Sequence, residues 1–151
     1  MIRLRHPILG SLHAVSVLLL TTSCFVGPGQ TDKGSDIVSL LKIRIPQSAT
    51  DIVGHTDSGI DFFMPNDEWR DYIAGYYPDA VLTPRPSKER DGSAPIVCYP
   101  SLRSGAELTN WTTGDDIQYR DTDYSVYRFV SITPDCAPGK AYIRWSLDDP
   151  K

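Results

Sequence analysis

The sequence predicts an α+β fold: a single small domain, mainly antiparallel sheet, packed against one main helix. Three patterns carry that expectation. Residues 126–132 and 141–147 alternate apolar and polar side chains, the period of a half-buried strand. Trp69, Tyr72, Ile73 and Tyr76 recur at i, i+3, i+4 and i+7, one face of a helix. Short strand-like runs separated by turn residues make up most of the remainder, which favours an antiparallel sheet.

Taken in order, Ile37–Ile45 reads as a first strand, with Ile37, Leu41, Ile43 and Ile45 on one face and Pro46 ending it. Ser48–Asp51 has the composition of a short helical turn. Residues 52–56 and 60–64 flank Asp57-Ser58-Gly59, a hairpin signal in which glycine eases the turn. The main helix is expected over Asn66–Tyr77, with Asn66 as N-cap and Pro78 preventing continuation. Asp79–Ala94 is rich in Pro, Ser, Gly and charge and reads as a long exposed loop. Ile96–Tyr99 reads as a short strand, and Ser101–Asp123 is ambiguous, with Trp111 and Ile117 as buried points. The final hairpin places Val126, Val130 and Ile132 on one face, with Tyr127 and Phe129 on the other. Ala141, Ile143, Trp145 and Leu147 face inward, and Tyr142, Arg144 and Ser146 face out.

The chain has 151 residues, 40% of them hydrophobic, and a formal charge of -4. That balance fits one globular domain rather than a disordered or wholly membrane-embedded chain. An acidic chain lacks the basic footprint of a nucleic-acid binder, so no nucleic-acid partner is expected.

The start of the chain has a different character. Arg3 and Arg5 precede an apolar stretch over Ile8–Leu20, which is followed by Thr21-Thr22-Ser23-Cys24. A basic region, a short apolar core and small residues are the parts of a secretory signal peptide. The densest apolar run is too short for a spanning helix of ~20 residues. The expected organisation is a signal peptide over 1–23, a lipidated cysteine with flexible tether over 24–35, and an extracytoplasmic α+β domain over 36–151. Loss of residues 1–23 would leave 13 basic against 19 acidic residues, with His55 as the remaining histidine.

The segment Thr22-Ser23-Cys24 resembles the lipobox of bacterial lipoproteins, although Thr21 stands where leucine is usual. In that family the cysteine sulfur receives a diacylglyceryl group, with acyl chains such as palmitate. The preceding peptide bond is cut, and the cysteine becomes the first residue. Together with Ile43-Arg44-Ile45-Pro46-Gln47-Ser48-Ala49-Thr50-Asp51, the signal is similar to small lipoproteins of actinobacteria. That resemblance implies a cell-membrane location facing outside the cytoplasm, held by a lipid on Cys24, and it implies no particular activity. Two or three acyl chains at ~0.8 kcal/mol per buried methylene anchor a protein durably.

Cys24 as an anchor leaves Cys98 and Cys136, 38 residues apart, and an oxidising compartment favours a disulfide between them. Two cysteines and one distant histidine lack the spacing of a metal site. No cofactor is expected.

The search for catalytic chemistry yields no constellation. His55, Asp57 and Ser58 are close in sequence, but tight turn geometry separates Ser58 from the histidine, and no GxSxG elbow exists. Asp115, Asp116, Asp121 and Asp123 lack the spacing of a calcium loop and read as a solvated acidic patch. Asn110-Trp111-Thr112 matches a glycosylation sequon that a bacterial lipoprotein would not normally use. Exposed tyrosine with arginine is the composition of many binding surfaces, and Tyr76, Tyr77, Tyr99, Tyr142 and Arg144 are the candidates. The expected function is a non-catalytic binding or interaction module for an envelope protein or small ligand. The alternatives are a small envelope hydrolase using His55 and an inhibitor- or immunity-type lipoprotein presenting residues 79–94.

Overall fold

The computed structural model describes residues 32–55 and 58–148. The signal-peptide reading, Cys24 and Asp57 lie outside the described residues.

Six strands form one antiparallel sheet: β1 (Thr50–His55), β2 (Gly59–Pro65), β3 (Thr83–Ser87), β4 (Leu108–Gln118), β5 (Ser125–Ala137) and β6 (Lys140–Leu147). Their order across the sheet is β1-β2-β6-β5-β4-β3. The β1–β2 hairpin therefore docks through β2 onto β6, the last strand of a β3–β6 meander. Among the described residues three short α-helices accompany the sheet: α1 (Asp32–Leu40), α2 (Trp69–Ala74) and α3 (Tyr99–Arg103). The antiparallel sheet dominates, and the helical part is divided among short segments.

The first expected strand is instead helix α1 followed by a turn. Ile37 and Leu41 are both buried, as expected, but their spacing is i, i+4 rather than strand alternation. The helix ends with the Ile43 amide donating to the Val38 carbonyl and the Lys42 amide to the Ser39 carbonyl. This is a Schellman-type cap, with Lys42 in the left-handed conformation at φ 53°.

Helix α2 is shorter than expected and lacks its expected cap. Glu68 holds the N-cap position without a side-chain bond, because the Asn66 side chain is engaged with Asp135. The apolar stripe nevertheless holds: Trp69 and Ile73 are buried, and Tyr72 and Tyr76 pack against the same cluster.

The stretch read as a loop over 79–94 contains edge strand β3. Its two prolines, Pro84 and Pro86, cannot donate to a ladder, which suits a strand with a neighbour on one side only. The expected strand at Ile96–Tyr99 is a 3-10 turn over Ile96–Cys98 that runs into α3. Cys98 and Cys136 form a disulfide with a Cα–Cα distance of 4.6 Å, tying this turn to β5.

One sheet face carries the main core. Ile60, Phe62 and Met64 of β2, Ala141, Ile143 and Trp145 of β6, and Val130 and Ile132 of β5 pack there with Ile37, Leu41, Trp69 and Ile73. The opposite face is covered at one end. Tyr142 and Leu108 pack with the disulfide against Leu102 and Ala106, so Tyr142 is buried rather than outward in solvent. Towards the other end that face is open, with Val53 47% and Tyr127 40% exposed.

Candidate functional site

The open part of the second face gathers the chemistry. The β1–β2 register sets His55 opposite Gly59 and Val53 opposite Asp61. The β2–β6 register sets Asp61 opposite Arg144 and Phe63 opposite Tyr142. Alternation then sends His55, Asp61, Arg144 and Tyr142 to one side of the sheet.

Asp61 is the centre of the group. Its side chain is 11% exposed, against 39% for His55 and 53% for Arg144. The Asp61 Oδ2 atom lies 2.8 Å from His55 Nε2, within hydrogen-bond distance. Its Oδ1 atom lies 3.7 Å from Arg144 Nε, close enough for charge attraction but too long for a hydrogen bond. That oxygen is buried and unpartnered among the described residues. Burial and the facing Asp61 carboxylate push the Tyr142 hydroxyl well above the usual tyrosine range.

This arrangement holds an imidazole in place by a buried carboxylate and sets a half-exposed guanidinium beside it. It can bind a ligand carrying both acceptor and donor groups, and it orients one histidine. Among the described residues no serine, threonine or cysteine side chain hydrogen-bonds His55. Ser58 sits in the hairpin turn, its amide donating to the His55 carbonyl. The histidine's acid partner is therefore Asp61. The hairpin register carries that signal, since pairing His55 with Gly59 places Asp61 diagonally across from His55.

The five residues expected to form one surface are divided by the sheet. Tyr142 and Arg144 lie on the second face, while Tyr76 and Tyr77 pack on the core face around Trp145 at 5.2 and 6.0 Å between ring centroids. Tyr99 opens α3 with the Arg103 guanidinium 5.6 Å from its ring centre. Tyr77 donates its hydroxyl to Asp115 Oδ1 at 2.6 Å; burial and that carboxylate together raise its pKa far above the normal value.

The acidic residues at 115 and 116 part company as well. Asp115 faces inward to Arg128, and Asp116 is exposed. Among the described residues no group of three or more histidine, cysteine, aspartate or glutamate side chains is placed to hold a metal ion. No helix among them is long and apolar enough to cross a membrane. No protein-family model, curated protein or solved structure matches the chain.

Proposed function

We propose that this chain is a lipid-anchored extracytoplasmic protein of the cell membrane whose domain is a non-catalytic binding or interaction module. The observation that carries the binding role is the half-exposed Arg144 and His55 set around buried Asp61 on an uncovered sheet face. Such a patch offers a partner's acceptor groups an imidazole oriented by a buried carboxylate and a half-exposed guanidinium. The Cys98–Cys136 disulfide supports an oxidising location. The lipobox-like Thr22-Ser23-Cys24 supports the anchor, in line with a small actinobacterial-type lipoprotein.

Two measurements test the reading. Mass spectrometry of the N-terminus is expected to find Cys24 first and carrying a diacylglyceryl thioether; an unmodified terminus elsewhere removes the anchor. Crosslinking in envelope preparations with the full chain and with Arg144→Glu tests the patch. Charge reversal is expected to abolish one or more specific crosslinks; identical patterns remove the patch as the binding surface.

A second reading has its own support in the 2.8 Å His55–Asp61 pair, an acid orienting an imidazole as hydrolases use it. A substrate screen of the full chain against His55→Ala separates the two. Turnover lost in the variant would favour the hydrolase.

A further inference from the structure

We propose that this chain pairs with a second copy of itself through an apolar ridge and an adjoining groove, each copy's ridge entering the other's groove. Both features lie at the end of the second face that α3 covers, apart from the His55–Asp61–Arg144 patch.

The ridge is the 3-10 turn over Ile96–Cys98 and the start of α3. Residues 92–102 carry no charge, in a chain of which 23% is charged. Ile96 and Pro100 stand at i and i+4, with Val97 beside them, and all three are exposed, Ile96 at 78%. An apolar ridge in water gains by docking. It is also held in shape. The Cys98–Cys136 disulfide pins the turn, and the Ser101 hydroxyl donates to the Cys136 carbonyl at 2.8 Å. An ion pair between Arg103 and Glu89 ties α3 to the segment after β3. A ridge fixed in this way loses little freedom when it binds.

The groove opens where β3 and β4 part. Their ladder ends at the Ser87–Leu108 pair. The groove has a volume of about 980 Å³ and is lined by Pro86, Lys88, Arg90, Leu102, Ala106 and Glu107, among others. Its walls are pre-formed: the Lys88 amide donates to the Ser93 hydroxyl at 2.9 Å, and the Ala106 amide donates to the Ser101 carbonyl at 3.0 Å. Lys88 and Arg90 stand on the wall that continues β3, and Glu107 on the wall that leads into β4. All three are exposed, and among the described residues none forms an ion pair.

This division of charge identifies the occupant. An acidic partner would meet Glu107, and a basic partner would meet Lys88 and Arg90. A second copy related by a two-fold axis turns its acidic wall to the basic wall of the first, and the reverse, so both walls find opposite charge. The same rotation brings the uncharged ridge to the partner's Leu102 and Ala106. A small ligand in the groove would leave the ridge in water, whereas paired chains cover both.

The test is sedimentation equilibrium of the full-length chain in density-matched mild detergent, up to about 1 mM. A reversible monomer–dimer equilibrium is expected. Two-fold symmetry makes each substitution act twice. Ile96→Asp is expected to weaken pairing by at least about a hundred-fold. Arg90→Glu and Glu107→Lys are each expected to weaken it by about ten-fold. Because all three positions are exposed, melting should be unchanged. An equal mixture of the Arg90→Glu and Glu107→Lys chains should pair again, since residues 90 and 107 then face each other with opposite charge in both contacts. A chain that stays monomeric throughout would overturn the proposal. So would dimers that the three variants leave unchanged, species that grow beyond the dimer, or charge variants that mixing does not rescue.

Discussion

Arg128 and Asp115 face one another across β5 and β4 and form a two-bonded ion pair on the core face of the sheet. Arg128 Nε donates to Asp115 Oδ1 and Nη2 donates to Oδ2, both at 2.9 Å. Nη1 donates to the Leu41 carbonyl at 2.9 Å, just beyond the end of α1. The guanidinium also lies 5.3, 5.4 and 5.8 Å from the ring centres of Tyr77, Trp145 and Tyr76. Burial is the largest single influence and works against its charge, but hydrogen bonding and charge attraction to Asp115 and Tyr77 together outweigh it and raise the pKa. One side chain thus links the sheet, α1 and the residues that follow α2.

Arg128→Met keeps much of the apolar stem but strands the Asp115 carboxylate and the Leu41 carbonyl. The arginine side chain is 7% exposed while Asp115 is 39% exposed, so water can rescue the acid in part. We expect a loss of about 3 kcal/mol in urea unfolding. Asp115→Asn in the Arg128→Met background should restore some of that loss, because it removes the stranded charge. An additive double mutant would show that the pair is not coupled.

The disulfide should matter more than its single covalent bond implies. In the chain-entropy model, closing a loop across the observed 38-residue separation stabilises by about 4 kcal/mol. It also holds the 3-10 turn and α3 over Tyr142 and Leu108. Cys98→Ala with Cys136→Ala is expected to lower the unfolding free energy by a few kcal/mol relative to wild type. Intact mass under reducing conditions should exceed the non-reduced mass by about two units. Equal masses would mean free thiols.

Much of this architecture was legible because strands with two different faces write their alternation into the sequence. β6 is the clearest case: Ala141, Ile143 and Trp145 are buried on the core face, and Arg144 is exposed on the other. The same alternation places Arg128 with Val126 and Val130, although a charged residue there contradicts the usual reading of a core position. α1 was hidden because Ile37 and Leu41 fit both helix and strand periods, and because its cap uses Lys42 where glycine is the usual signal. β3 was hidden by prolines that only an edge strand tolerates. Which end of the second face lies covered depends on α3, distant in sequence from β6. Tyr142 and Arg144 share a side of the sheet, yet Tyr142 is buried and Arg144 is exposed. His55 is the one histidine beyond residue 23, but its pairing with Asp61 follows from strand register, not from proximity in sequence.

Three tyrosines predict how stability responds to alkali. Burial is the first cause of the raised pKa at Tyr72, Tyr77 and Tyr142, with a neighbouring phenol at Tyr72 and carboxylates at the other two adding to it. A raised folded-state pKa means that the unfolded chain releases these protons first, from about pH 10. Their contribution is fully present below that pH and declines as pH rises towards the folded-state values. Urea midpoints should hold to about pH 9 and then fall steeply. Tyr72→Phe should flatten the fall, since it removes the most strongly raised of these groups. A slope identical to that of wild type would mean that Tyr72 ionises alike in both states.

Gly59 should be the least replaceable of the sheet glycines, for a reason of space rather than backbone angle. A Cβ there would lie 2.2 Å from the Trp145 carbonyl oxygen and 3.2 Å from the Ser146 Cα, both backbone atoms of β6. The strand cannot yield locally, because Trp145 is fully buried in the core and Gly59 pairs directly with Ser146. Gly114 is also tight, at 2.5 Å from the Arg128 carbonyl oxygen, a backbone atom of β5, and 2.7 Å from the Tyr127 ring; the ring is partly exposed and can swing aside, which leaves one backbone contact that is longer than the one at Gly59. At Gly92, which has φ 69°, nothing lies within 4 Å, so the cost of alanine there is the backbone conformation alone. Gly59→Ala is therefore expected to cost about 3 kcal/mol or more, Gly114→Ala less, and Gly92→Ala about 1 kcal/mol. Thermal melts of the three variants in parallel check the order. Because Gly59 lies between His55 and Ser146 on the open face, a folded Gly59→Ala chain should also lose the Arg144-dependent crosslinks, through displacement of the β2–β6 register.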